Sequence, residues 1–379
     1  MLLAADLFCG AGGLSLGFQQ AGFKVGFAND INEDCATTYK ANHDVAFLPG
    51  SIEHLTANQI FKSTSLKKGQ IDVLIGGPPC QGFSINAPKR DEADIRNHLF
   101  RHYVRLVLEG LRPKVVLMEN VPGMLSLERG RFIKAIYAAF NQAGYRMAHM
   151  VLCAAHYGIP QERWRLFFIG TMLKDVEISF PFPTHLAPVR ANFTGGRNLT
   201  WLHRLPEADE RSLFAGDFKK FVSVRDAIGD LPALTILSGT EPSNYNGGPY
   251  TEYQRLMRDR SALLHNHVAG SLAKQNLEHL RHIPPGGSWR DIPYALLPKG
   301  MKRARKSDHT RRYGRIDPDG LSGTVLTKCD PHWGSFFHYE QDRTLTVREA
   351  ARLQSFPDRF RFLGSKVSQY VQIRSRSNL

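Results

Sequence analysis

The stretch "IDVLIGGPPCQGFS", Ile71 to Ser84, runs from apolar residues into two glycines, two prolines and a cysteine. A short continuous apolar run closed by such residues reads as a strand covered on both faces. Gly76, Gly77, Pro78 and Pro79 then end the strand and stiffen the turn that leads to Cys80. Free cysteine is among the most buried residue types, so an inert core thiol is one reading. A thiol held still in front of a reacting carbon is the other, and it explains the stiffened lead-in.

Working outward, the first half of the chain alternates strand and helix patterns. "LLAADLFC", "VGFAND", "KVVLMEN" and "RLFFIGT" are further strand candidates. In "NHLFRHYVRLVLEGL" the apolar Leu99, Phe100, Tyr103, Val104, Val107, Leu108 and Leu111 recur at helical steps. In "RGRFIKAIYAAFNQAGY", Phe132, Ile133, Ile136, Tyr137 and Phe140 do the same. This alternation predicts an α/β fold with a doubly wound, mostly parallel sheet. Prolines cluster at "FPFPTHLAP", which places a boundary after residue 184. Residues 185–324 are polar and rich in Gly and Pro turns, as expected of a smaller irregular domain. Residues 325–379 are expected to return to the first domain, with Thr346 and Glu349 forming a capping box in "TVREAARLQSF".

The 379 residues carry 49 Lys+Arg against 35 Asp+Glu, a net charge of +14, which favours a polyanionic partner such as nucleic acid. The five cysteines never stand in CxxC spacing, so neither a disulfide framework nor a metal site is expected. That usage suits a reducing cytoplasm. No apolar run is long enough to span a membrane, and the N-terminus lacks a basic leader. The basic run "KRARKSDHTRRYGR", Lys302 to Arg315, is a phosphate-contact candidate through Lys302, Arg303, Arg305, Arg311 and Arg312.

Three further stretches carry chemistry. "DLFCGAGGLSLGF" is a strand, a loop with Gly10, Gly12 and Gly13, then a helix, as at nucleotide-binding sheet edges. The dinucleotide spacing GxGxxG is not met, because position 15 is serine, so a nucleoside without a pyrophosphate fits better. Asp30 ends the next strand and suits either ribose hydroxyls or a cationic ligand. "KVVLMENVPG" puts Glu119 at a strand end, on the rim where a parallel sheet also places Cys80: a nucleophile beside a proton donor. In "QERWRLFFIG", two-residue spacing puts Arg163 and Arg165 on one strand face, where they hold an anion or bond a carbonyl.

With these motifs in this order, the chain resembles the DNA (cytosine-5)-methyltransferases, bacterial type. "DLFCGAGGLSLGF", "GGPPCQGFS", "MENVPG", "QERWR" and "RTLTVREAARLQSFPD" carry the resemblance. It implies Cys80 as nucleophile, Glu119 at the base, and Arg163 and Arg165 holding it. It further implies a pocket for S-adenosyl-L-methionine lined by Phe8, Gly10, Gly12, Gly13, Leu14, Asp30, Ile31, Pro79 and Leu99. Double-stranded DNA is the implied partner, met by Gln81, Ser84 and the basic run, in a bacterial restriction-modification setting. Two alternatives stay open: an RNA cytosine-5 methyltransferase, and an incomplete DNA-binding subunit. The second rests on "YVQIRSRSNL", where Arg374 and Ser375 stand in place of the family's Gly-Asn. That departure leads to the expectation that a second polypeptide supplies a missing C-terminal helix.

Overall fold

The computed structural model describes residues 1–79, 99–191, 193, 196–205, 218–325 and 329–375. Cys80, Gln81 and Ser84 lie outside the described residues. The chain divides into two compact units. The first holds residues 1–157 and 164–219, and the second holds residues 158–163 and 220–375.

In the first unit the strands are β1 (Leu3–Leu7), β2 (Lys24–Asp30), β3 (Ala46–Pro49), β4 (Val73–Gly76), β5 (Val115–Asn120), β6 (Arg146–Cys153) and β7 (Trp164–Thr171). They form one sheet in the order β3-β2-β1-β4-β5-β7-β6. The pairs β1–β2, β1–β4, β2–β3 and β4–β5 are parallel. β7 is antiparallel to both β5 and β6. The expected doubly wound, mostly parallel sheet is therefore present.

Period-two alternation decides what covers β4. Val73 and Ile75 pack with Leu14 on one face. Leu14 belongs to α1 (Gly13–Gln20). A Cβ on Gly76 would come within 2.7 Å of the Tyr103 ring on the other face. Tyr103 belongs to α4 (Leu99–Leu106), which follows α2 (Glu33–Asn42) and α3 (Ala57–Thr64) in the chain. Its hydroxyl donates to the Leu74 carbonyl at 2.6 Å, so one side chain both covers the strand and satisfies its backbone. α5 (Arg131–Gln142) extends this layer: Phe132 meets Phe100 edge-on, with ring centroids 4.8 Å apart.

β3 and β6 escaped the sequence reading. β3 is only half-buried, and the first half of β6 is not buried, so neither shows a continuous apolar run.

The unit boundaries differ from 184/185 and 324/325. Thr184 N–H donates to the His156 carbonyl at 2.9 Å, and Trp201 Nε1 donates to the Pro181 carbonyl at 2.8 Å, so the proline-rich segment stays with the first unit. The second unit holds α6 (Val224–Ile228), α7 (Glu252–Arg258), α8 (Lys274–Leu280), α9 (Val347–Arg352) and α10 (Lys366–Ser375). Arg352 on α9 is fully buried, pairs with Asp230, and bonds Asp358 at 2.6 Å. Those pairs tie residues beyond 324 to the second unit. The capping box at Thr346 and Glu349 is formed as read.

Candidate active site

The carboxyl ends of β1, β2, β4 and β5 share one sheet edge. Leu7 lies beside Asn29 and Gly76, and Gly76 lies beside Met118. An antiparallel strand brings its beginning to that same edge. β7 therefore delivers Trp164 and Arg165 where β5 delivers Glu119 and Asn120. Glu119 opposes Phe167, and Arg165, two residues earlier, shares its face. Arg165 Nε lies 2.7 Å from Glu119 Oε1, with both side chains largely withdrawn from solvent. Arg165 Nη1 also donates to its neighbour's carbonyl at 2.7 Å, which fixes the guanidinium.

The strand starts at Trp164, one residue after Arg163, so the alternation rule does not by itself place Arg163 on that face. Arg163 is buried and groups with the second unit, where Gln161 forms a bridge beside Ser322.

Asn120, buried at the end of β5, donates from Nδ2 to the Pro78 carbonyl at 3.0 Å. This bond holds the described part of the turn, through half-buried Pro79, against the strand that carries Glu119. The residue entering next is Cys80.

At the β1 end, Phe8 (φ 58), Gly10 (φ 56) and Gly12 (φ 97) all sit in the left-handed region. Gly tolerates this freely, whereas a phenylalanine there stores strain on the order of 1–3 kcal/mol. Gly12 has no alternative, because a Cβ would meet His43 Nε2 at 2.4 Å. His43 Nδ1 meets Gln19 Oε1 at 2.8 Å. Ser15 Oγ donates to Asp6 at 2.8 Å and lies 2.9 Å from the Tyr39 hydroxyl. Burial, and then the charge of Asp6, push the Tyr39 hydroxyl far above its usual range. These buried polar residues back the loop, and the motif pattern gave no sign of them.

Asp30 Oδ2 accepts from Gly10 N–H at 2.7 Å, and Oδ1 accepts from Asn32 N–H at 2.9 Å. A carboxylate oxygen has two lone pairs, so capacity is left for a vicinal diol. Ile31 stands exposed at 71% on the rim, Leu14 and Gly13 are buried behind the loop, and half-buried Leu99 opens α4. This donor set fits a nucleoside: a carboxylate for hydroxyls, glycine backbone for close approach, and apolar residues for a base.

In the second unit Lys302, Arg303, Arg305 and Arg311 are exposed and Arg312 is half-buried. Arg311 is engaged: its Nη2 lies 2.6 Å from Glu162 Oε2. Arg312 lies over the Trp333 ring, 4.7 Å from its centroid. Lys302 lies 5.3 Å from the Tyr294 centroid.

The model of the C-5 cytosine-specific DNA methylase family matches residues 3–374. The chain belongs to that family. It is 35% identical to the type II methyltransferase M.AgeI of Thalassovita gelatinovora, over 97% of this chain and 94% of that protein. It is also 35% identical to M1.HphI of Haemophilus parahaemolyticus, over 97% of this chain and 81% of that one. Among solved structures it resembles an E. coli prophage-encoded protein assigned as a DNA modification methyltransferase. The TM-score there is 0.69 at 26% identity, covering 99% of this chain and 94% of that one.

This family assignment does not favour the RNA reading or the incomplete-subunit reading, and nothing in the comparisons supports a second polypeptide. In this methylase the last motif has a seat in the second unit. The Tyr370 hydroxyl donates to the Leu345 carbonyl at 2.6 Å, Gln372 Nε2 donates to the Leu363 carbonyl at 2.9 Å, and Ile373 is fully buried. Cys9, Cys35, Cys153 and Cys329 are all buried. Burial and the nearby Glu349 push the Cys329 thiol far up, which removes thiolate character. Among the described residues no group of three or more His, Cys, Asp or Glu is arranged for a metal, and no helix is long and apolar enough to cross a membrane.

Proposed function

We propose that this methylase transfers a methyl group from S-adenosyl-L-methionine to carbon 5 of cytosine in a specific duplex DNA sequence. We place it in the bacterial cytoplasm as the modification half of a restriction system. Carbon 5 of cytosine is a poor nucleophile. Addition of the Cys80 thiolate to carbon 6 makes carbon 5 electron-rich. Protonation at ring nitrogen 3 by Glu119 offsets the developing charge, and Arg165 keeps that carboxyl in place. The cofactor, when bound, supplies an electrophilic methyl group. Asp30 would hold its ribose, and Phe8, the glycine loop, Leu14, Ile31, Pro79 and Leu99 would line its site. Loss of the carbon 5 proton to a base then expels Cys80. The target base must leave the duplex first, at a cost of a few kcal/mol on general grounds.

The observation that carries this reading is the junction of β4 and β5. Asn120 holds the Pro78 carbonyl on the strand whose preceding residue, Glu119, is gripped by Arg165. A proton donor held on one strand end, and the lead-in to Cys80 held on the same strand, support this reading, because nucleophilic attack needs near-attack geometry. Bisulfite sequencing of plasmid DNA from cells expressing the chain tests it. Protected cytosines confined to one recurring sequence support the reading, and their absence overturns it.

A further inference from the structure

Trp333 is the one tryptophan among the exposed large hydrophobic residues, with 61% of its surface in solvent. A single exposed apolar side chain is ordinary on its own. Its setting is not. The turn that presents it is pinned to the strand Gly314–Arg315 and the residues just before it. Tyr313 N–H donates to the Pro331 carbonyl at 2.6 Å, Gly314 N–H to the Gly334 carbonyl at 3.3 Å, and Ser335 Oγ to the Arg311 carbonyl at 3.3 Å. A Cβ on Gly334 would come within 2.6 Å of the Phe336 ring, so any larger residue there would displace that buried ring. The indole is thus held out on a stiff support.

Its neighbourhood is strongly basic. Residues 299–312 hold seven Lys and Arg against Asp308 alone. Two of those cations lie over exposed aromatic rings, Arg312 over Trp333 at 4.7 Å and Lys302 over Tyr294 at 5.3 Å. With Arg312 over it, the indole still keeps 61% of its surface in solvent. A flat aromatic face inside a cationic field suits a nucleic-acid base rather than a protein or a lipid surface. Bases stack on such faces, and inserted side chains wedge between base steps.

We infer that Trp333, with Arg312 behind it, is a base-stacking contact to the duplex, separate from the phosphate contacts of the basic run. This rests on the proposed DNA methylation and adds to it a residue that reads bases through shape. Salt dependence separates the two kinds of contact. Losing a phosphate contact lowers affinity and flattens the salt slope by about one unit, whereas losing a stacking contact lowers affinity and leaves the slope alone.

The test uses the full chain and a labelled oligonucleotide duplex carrying the sequence found methylated in plasmid DNA. Trp333→Ala is expected to weaken duplex binding by about tenfold with an unchanged salt slope. Trp333→Phe, which keeps a stacking face, is expected to recover most of that loss. Binding of S-adenosyl-L-methionine is expected to be unchanged in both variants. The inference is overturned if Trp333→Ala binds within twofold of the parent. It is equally overturned if the affinity loss comes with a flatter slope, or if the phenylalanine variant is as weak as the alanine one. A parent chain that methylates no DNA refutes the proposed function instead, and that result is read before any variant is made.

Discussion

Arg165 grips Glu119 at 2.7 Å because β7 runs antiparallel to β5 and starts where β5 ends. The pair joins a cation on one strand to the proposed proton donor on another, both mostly shielded from water. Removing one partner of a shielded pair leaves a charge without compensation. Arg165→Ala is therefore expected to lower kcat by about 10²–10³-fold, in the range of a lost proton-transfer group. Arg165→Lys keeps the charge but not the planar fork and should fall between. Single-turnover methyl transfer checks this. A kcat within threefold of the parent for the alanine variant would remove Arg165 from the site.

Asn120 sits one residue beyond Glu119 and does a different job. Its amide holds the Pro78 carbonyl at 3.0 Å. Asn120→Ala leaves that buried carbonyl without its donor, a loss on the order of 1–3 kcal/mol. The expected outcome is a drop in the rate of covalent adduct formation with little change in duplex binding. Equal losses in both would mean that Asn120 supports the unit as a whole.

Much of this was legible in sequence, and what was not has a physical cause. β1, β2, β4, β5 and β7 follow from short apolar runs, and the glycine loop from Gly10, Gly12 and Gly13. Those signals are local. The antiparallel sense of β7 is not, because periodicity reports burial and carries no direction. The exact start of the strand is not local either: two-residue spacing set Arg163 and Arg165 on one face, whereas the strand begins at Trp164 and includes only the second. The Arg311–Glu162 pair spans 149 positions and had no signal at all, so Arg311 read as a free phosphate contact. Tyr103 read as part of an apolar helix face and His43 gave no signal; only the packed structure shows that they crowd the space beside Gly76 and Gly12.

Gly12 allows a two-step prediction. Alanine there is strained twice, by a φ of 97° and by a Cβ 2.4 Å from His43. Gly12→Ala should weaken S-adenosyl-L-methionine binding, measured by calorimetric titration, by tenfold or more, since a left-handed residue alone costs about 1 kcal/mol. Adding His43→Ala removes the closest contact but leaves Tyr39 Cδ2 at 2.9 Å and the backbone strain, so the double variant should recover only part of the loss. Full recovery would show that the loop tolerates a side chain at its left-handed position.

Burial pushes His43, His156 and His338 down to about 4, with Glu349 only partly opposing this at His338. The unfolded chain takes up these protons near pH 6.5, and the folded chain does so only near 4. Their contribution is therefore whole above pH 6.5 and is lost as pH falls toward 4. By pH 5 each has lost about 2 kcal/mol of that contribution. Glu349 behaves differently: burial pushes it up, but the Arg343 guanidinium outweighs this and holds it well below the usual carboxylate range. Its contribution is lost only at lower pH. Urea midpoints should fall between pH 7.5 and pH 5. A flat profile over that window would show that these histidines are not buried neutral.

The central claim is that Cys80 attacks a flipped cytosine. A duplex carrying 5-fluorocytosine at the methylated position, incubated with the protein and S-adenosyl-L-methionine, tests it most directly. Fluorine cannot leave as a proton, so the covalent intermediate persists. The account predicts a stable protein–DNA adduct, mapped by mass spectrometry to Cys80 and absent from Cys80→Ser. An adduct at Cys9, Cys35, Cys153 or Cys329, or one formed equally well by the serine variant, would contradict it.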